Sequence, residues 1–155
     1  MKKIIVALCV ILLTACSKTD TVSKINDDLM KSFPVDVQLY LKDLDPDIVS
    51  MEYLLNNPED YVSKLGENKF VLVKGNVTDI TVIDYSKEDL SIMENQEMAD
   101  LLKDVVVYDY YIDDTKTPLS DNLGNTDVRI DKEYYFLVSV RDQIGEYTYS
   151  VIDIY

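Results

Sequence analysis

Residues 70 to 83 read Phe-Val-Leu-Val-Lys-Gly-Asn-Val-Thr-Asp-Ile-Thr-Val-Ile, a strand-like run with Gly75 inside it. A glycine within a long strand marks a bulge or a sharp bend, because it weakens the ladder yet lets the backbone fold tightly or approach another chain. A strand bent in this way can serve two faces of a closed barrel. That single run does more than any other stretch to limit the folds open to this chain.

The remaining β signals lie downstream. Val105-Val106-Val107-Tyr108-Asp109-Tyr110-Tyr111-Ile112 is rich in β-branched and aromatic residues and predicts the strongest strand. Residues 113–126 read as a turn-rich loop with Pro118, Asn122 and Gly124. The chain closes with a predicted hairpin: Glu133 to Arg141, a turn at Asp142-Gln143-Ile144-Gly145, then Glu146 to Tyr155. Gly145 supplies the positive φ such a turn uses. Between the first two strands, Ser86 with Asp89 resembles a capping box, and Met98, Leu101 and Leu102 predict a helix through about Asp104. Leu90 to Met93 is open to a short strand.

Upstream the texture is helical. Val22, Ile25, Leu29 and Phe33 fall at helical spacing, and the helix they predict ends at Pro34. Residues 35–44 fit either period, and the helical neighbours favour a helix. Asp45-Pro46 predicts a further helix with Ile48, Met51, Tyr53, Leu54 and Leu55 on its apolar side. Asn57-Pro58-Glu59-Asp60 predicts another, burying Tyr61, Val62 and Leu65 and stopping at Gly66. The acids of these starts read as helix caps rather than as metal ligands.

The first residues carry a different message. Lys2 and Lys3 precede ten apolar residues, Ile4 to Leu13, and the segment closes on Leu13-Thr14-Ala15-Cys16. The apolar run is half of the roughly 20 residues a spanning helix needs. A basic start, a short apolar middle and small residues form a secretory signal. The last four residues resemble the lipobox of bacterial lipoproteins, with Thr14 where that family prefers Ser or Ala. The resemblance implies cleavage before Cys16 and a diacylglyceryl group on its sulfur. It therefore implies a signal peptide over 1–15, a lipidated Cys16 and short tether over 16–23, and a globular domain over 24–155. That domain divides into a helical part, 24–67, and a β-rich part, 68–155. The implied location is the extracytoplasmic face of a bacterial cell membrane or outer membrane. About seven tether residues reach at most roughly 25 Å. Cys9 lies in the removed segment and fills an apolar position.

Charge and missing residue types narrow the chemistry. The chain carries 29 acidic and 15 basic side chains, a net charge of −14, and removing Lys2 and Lys3 with the signal takes it to −16. Such a surface repels nucleic-acid phosphates and anionic lipid heads and favours basic proteins, cationic peptides or metal ions. There is no histidine, which excludes Ser-His-Asp and Cys-His nucleophile systems and the commonest zinc ligand. No cysteine follows Cys16, so the domain forms no internal disulfide. A hydrolase built from these residues needs paired carboxylates or a Ser-Lys arrangement.

Residues 68–155 resemble an OB-fold: a long first strand kinked at Gly75, a helix near the middle and a final hairpin. The expected class is α+β, with short N-terminal helices packed on a small antiparallel β-barrel or curved sheet. The resemblance implies binding of oligonucleotides, oligosaccharides or proteins on one face, and the acidic charge disfavours the first. Twelve Tyr and no Trp supply the aromatic surface. Tyr108 and Tyr110 share one strand face opposite Tyr111, and Tyr147, Tyr149 and Tyr155 share another. They read either as a platform for sugar rings or peptide, or as ordinary residues of half-buried strands. Asp121, Asn125 and Asp127, with Asp113-Asp114 nearby, form an oxygen-rich loop that suggests Ca²⁺. The loop lacks the terminal Glu and the spacing of an EF-hand, and turns carry Asp and Asn for backbone reasons. No catalytic residue, metal or cofactor is assigned. The expected function is non-catalytic binding of a protein or other ligand by a membrane-anchored lipoprotein. An acidic immunity or inhibitor lipoprotein that neutralises a basic partner is the alternative, and a carboxylate-dependent wall hydrolase is a third class.

Overall fold

The computed structural model describes residues 21–124 and 127–155. Residues 1–20, with Cys16 and the expected signal segment, and Asn125 lie outside the described residues. The described chain runs β1 (Ser23–Lys24), α1 (Asp27–Ser32), α2 (Val35–Leu44), β2 (Asp47–Val49), α3 (Met51–Asn56), β3 (Val71–Asp84), α4 (Gln96–Leu102), β4 (Val106–Ile112), β5 (Leu119–Asp121), β6 (Glu133–Gln143) and β7 (Glu146–Ile154), with short 3₁₀ turns between.

Five strands close a barrel. β3 pairs antiparallel with β4, β4 with β5, β6 with β7, and β6 with β3, while β5 meets β7 in parallel at Ser120 and Ser150. The fold is α+β and OB-fold-like. Closure depends on β3 changing partner midway. Val71 to Asn76 pair with Val138 to Glu133, and Val77 to Asp84 pair with Ile112 to Val106. The change falls beside Gly75, and a register shift follows between Val77 and Asp79. The bend foreseen at Gly75 thus has a steric cause. A Cβ there would overlap Ile112 Cγ2 and stand 2.6 Å from Asp113 Oδ2. Asp113 locks the crossing: its N–H donates to the Asn76 carbonyl at 2.9 Å, and its Oδ1 accepts from the Asn76 N–H at 3.1 Å.

Two apolar clusters share the barrel wall. Val71, Val73, Tyr110, Ile112, Phe136, Val138, Tyr149 and Val151 fill the interior together with Met51 and Leu54 of α3. α3 therefore closes one end of the barrel. Ser50 starts it by accepting the Tyr53 N–H on its hydroxyl at 3.1 Å. On the outside, Leu72 and Leu137 join Phe33, Leu41 and Ile48 beneath α1 and α2. Val71-Leu72-Val73 and Phe136-Leu137-Val138 are unbroken apolar triplets because both faces of the wall are covered there. Burying a leucine of this kind contributes about 1.5–3 kcal/mol.

Five expectations are corrected. Asp45 does not cap a new helix. It ends α2 in a left-handed conformation with φ 43°, and Asp47–Val49 form a strand parallel to Val71–Val73. Ile48 and Val49 are β-branched, a neighbouring strand accepts them, and the true cap is Ser50. Residues 57–66 form only a 3₁₀ turn, Pro58–Asp60, because Val62 bridges Val140 and the Ser63 N–H donates to the Val140 carbonyl. Leu65 is fully exposed, and Gly66 sits in a tight turn between Lys64 and Glu67. Residues 90–92 form a 3₁₀ turn rather than a strand. Ser86 is held by Asp84, and Asp89 holds Ser91, in place of the suggested capping box. The loop expected over 113–126 contains β5, whose three residues suffice because Leu119 and Asp121 are both buried.

Candidate functional site

The inward column of β4 is Tyr108, Tyr110 and Ile112. Tyr108 and Tyr110 stack with ring centres 6.4 Å apart and planes 14° from parallel. Tyr110 is fully buried and leans on Phe136 at 5.7 Å. Its hydroxyl donates to Asp121 Oδ2 at 3.4 Å, and Asp121 Oδ1 accepts the Leu123 N–H at 2.7 Å. Asp121, itself fully buried, thus anchors the loop that follows β5 to the barrel interior. Tyr134 lies beside Phe136, and its hydroxyl accepts the Arg129 N–H at 3.0 Å.

The four tyrosines singled out for a platform do not converge. Tyr108 pairs with Val82, far along β3 from Val71, so it occupies the barrel end opposite α3. Tyr149 pairs with Val140, the residue that Val62 bridges, so it lies at the α3 end. Tyr110 and Tyr149 belong to the interior cluster, Tyr108 packs against it half-buried, and Tyr147 is 36% exposed on the β6–β7 ribbon opposite Asp142. Period-two spacing identified the shared faces, but the inward face of a barrel is a core.

Burial raises the Tyr110 phenol well above its ordinary range, and the nearby Asp121 carboxylate adds to the effect. Burial, then Asp47, does the same at Tyr61, whose hydroxyl donates to Asp47 Oδ2 at 3.3 Å. Burial, then Asp153, raises Tyr155. A phenol raised in the folded state keeps its proton where the unfolded chain loses one. Its stabilising contribution is complete below about pH 10 and is lost as pH climbs through the raised values. Urea midpoints are accordingly expected to fall between pH 8 and pH 11, with tyrosinate absorbance appearing together with unfolding. Equal midpoints, or full ionisation of all tyrosines in the folded state, would contradict these environments.

The calcium candidates divide. Asp121 is engaged as described, Asp127 is exposed, and Asn125 lies outside the described residues. Among the described residues no group of three or more metal-ligating side chains comes together. Asp113 and Asp114 both adopt positive φ, and their contacts are to β3: the Asp114 N–H donates to Thr78 Oγ1.

The outer face of β4 and β5 is polar. Ser120 donates to Asp109 Oδ1 at 2.6 Å, and Ser150 and Ser139 continue the row of hydroxyls by register.

A group of exposed apolar residues lies elsewhere, on the arm that joins β3 to β4 over residues 85–105. Two 3₁₀ turns, Tyr85–Lys87 and Leu90–Ile92, lead into α4, whose start is capped by Asn95 accepting the Met98 N–H at 3.1 Å. Ala99 is the one buried residue of α4. Ile92 is 83% exposed, Leu101 72% and Met98 45%. Glu88, Asp89, Glu94, Glu97, Asp100 and Asp104, all exposed, lie on the same arm. Of the two basic residues on the arm, Lys87 is bound to Asp84 at 2.6 Å, leaving Lys103. The Lys87 ammonium and then the Ser86 hydroxyl hold the Asp84 carboxyl below its usual range. The sequence placed Met98, Leu101 and Leu102 on a helix, and the structure leaves the first two of them exposed. The available signal was the density of acids around them, which leaves that helix little surface able to pack on a core.

Comparison with protein-family models, with curated proteins and with solved structures gives no match.

Proposed function

We propose that this chain is a lipoprotein anchored through Cys16 at the extracytoplasmic face of a bacterial membrane, where its folded domain binds a basic protein or peptide without catalysing a reaction. The observation that carries the reading is the surplus of unneutralised carboxylates. Acids outnumber bases by 29 to 15. Ion pairs among the described residues engage Lys24, Lys31, Lys74 and Lys87. Most of the acids face water. An OB-fold-like barrel supports binding over catalysis only as a likeness of fold, since such barrels present loops and one sheet face to ligands. The absence of histidine removes the usual proton-transfer residue. No helix among the described residues is long and apolar enough to cross a membrane. The proposed attachment is the lipid on Cys16.

A narrower form of the same reading, an acidic inhibitor or immunity lipoprotein, is favoured by the concentration of acids on the 85–105 arm. Salt tests the charge component. The full-length protein in neutral detergent is expected to bind poly-lysine, with affinity falling about tenfold or more between low and moderate ionic strength. Binding that is absent, or indifferent to salt, would remove an electrostatic role and return the sheet face to first place.

A further inference from the structure

We infer that the 85–105 arm is the docking surface of this domain and that its partner is a cationic amphipathic segment, one that presents lysines or arginines around a strip of apolar side chains. The inference rests on the binding reading above and assigns it a place and a chemistry.

The arm departs from the barrel between the two strands that make its longest antiparallel ladder outside the β6–β7 hairpin, so its base is rigid. Its own secondary structure is fixed locally by Asp84, Asp89 and Asn95, each accepting a backbone N–H of the following turn. What the arm lacks is a core of its own. Met98 and Leu101 are three residues apart and share one side of α4, while Ala99 and Leu102 turn inward. The 3₁₀ turn carrying Ile92 lies close to α4 and adds a third exposed apolar side chain to the arm. Val82, 52% exposed, stands near the base on β3.

Charge decides the occupant. Six carboxylates share the arm with these apolar side chains, against two lysines, of which Lys87 is bound to Asp84. A second copy would bring an identical acidic arm against it, with like charges facing each other. An anionic lipid surface would be repelled in the same way. A cationic amphipathic segment matches both features: its apolar side chains cover Ile92, Met98 and Leu101, and its basic rim meets the acids. Apolar contacts would carry the affinity and the charges would select the partner and speed its approach.

The test compares the full-length protein with Ile92→Ser/Leu101→Ser, in neutral detergent. Both positions are exposed, so the variant is expected to keep the parent's circular dichroism and melting temperature. The probe is a synthetic peptide of leucine and lysine arranged at helical period, and its control is a glycine-lysine peptide of equal charge. The parent is expected to bind the leucine-lysine peptide at least about tenfold more tightly than the control. The double variant should lose about that factor, while Val35→Ser/Leu39→Ser, exposed on α2, loses none. Equal binding of the two peptides by the parent, or undiminished binding by the arm variant, overturns the inference while leaving the acidic-surface reading in place. Absence of binding to either peptide defeats both. Concentration-dependent dimerisation that the arm variant abolishes would show that the surface is occupied by a second copy, and overturns the proposed partner.

Discussion

Gly75→Ala is expected to destabilise the domain by about 2 kcal/mol, lowering its melting temperature by roughly 6–8 °C. Two effects of opposite sign compete. Alanine restricts the unfolded chain more than glycine, and at a compatible site this stabilises by about 0.4–1 kcal/mol. The φ of Gly75 lies outside the left-handed region, so the backbone conformation itself is open to alanine. Sterics decide the sign. The new methyl would collide with Ile112, which is fully buried, and with Asp113, which is fixed by two hydrogen bonds to Asn76. Neither neighbour can yield without opening the point where β3 passes from β6 to β4. Overpacking of this kind costs about 1–3 kcal/mol, occasionally more, and outweighs the entropic gain. A stability unchanged or raised in urea titration would mean that the crossing is looser than described and that β3 bends for some other reason.

That crossing also shows what the amino-acid order reveals by itself. β3, β4 and the β6–β7 hairpin are long, β-branched or aromatic, and punctuated by Gly75 and Gly145, so local pattern and final structure agree. The stretch from Asp45 to Gly66 is different. Ile48 and Val49 form a strand because Leu72 and Val73 lie beside them, and Val62 is straightened by Val140. Those partners are remote in sequence, and local capping signals such as Asp45-Pro46 point elsewhere. β5 is too short to have a period at all. The tyrosines illustrate a second limit. Alternation places Tyr108 and Tyr110 on one face, but only the closed barrel makes that face an interior, with Tyr110 against Phe136 and Asp121. The exposed arm is the mirror case: Met98 and Leu101 have core-like spacing, and only the density of acids around them signals that no core receives them.

Cys16→Ser carries the second large effect, a complete loss. The proposed anchor is covalent, and two acyl chains contribute about 0.8 kcal/mol per buried methylene, so retention should be effectively permanent with the lipid and absent without it. The apolar stretch Ile4 to Leu13 is too short to substitute as a spanning helix. Serine is nearly the same size as cysteine but offers no thiol for acylation, so the folded domain should be untouched while processing fails. The location narrows the partner further, since a basic target reached from a membrane's outer face differs from any cytosolic one. The decisive measurement is incorporation of radiolabelled palmitate, followed by cell fractionation, for the parent and for Cys16→Ser. The account predicts a labelled, membrane-bound parent that begins at Cys16 and an unlabelled variant that retains residues 1–15. A parent that is unlabelled and dissolved in the cytosol with those residues intact, or a variant labelled like the parent, would contradict it.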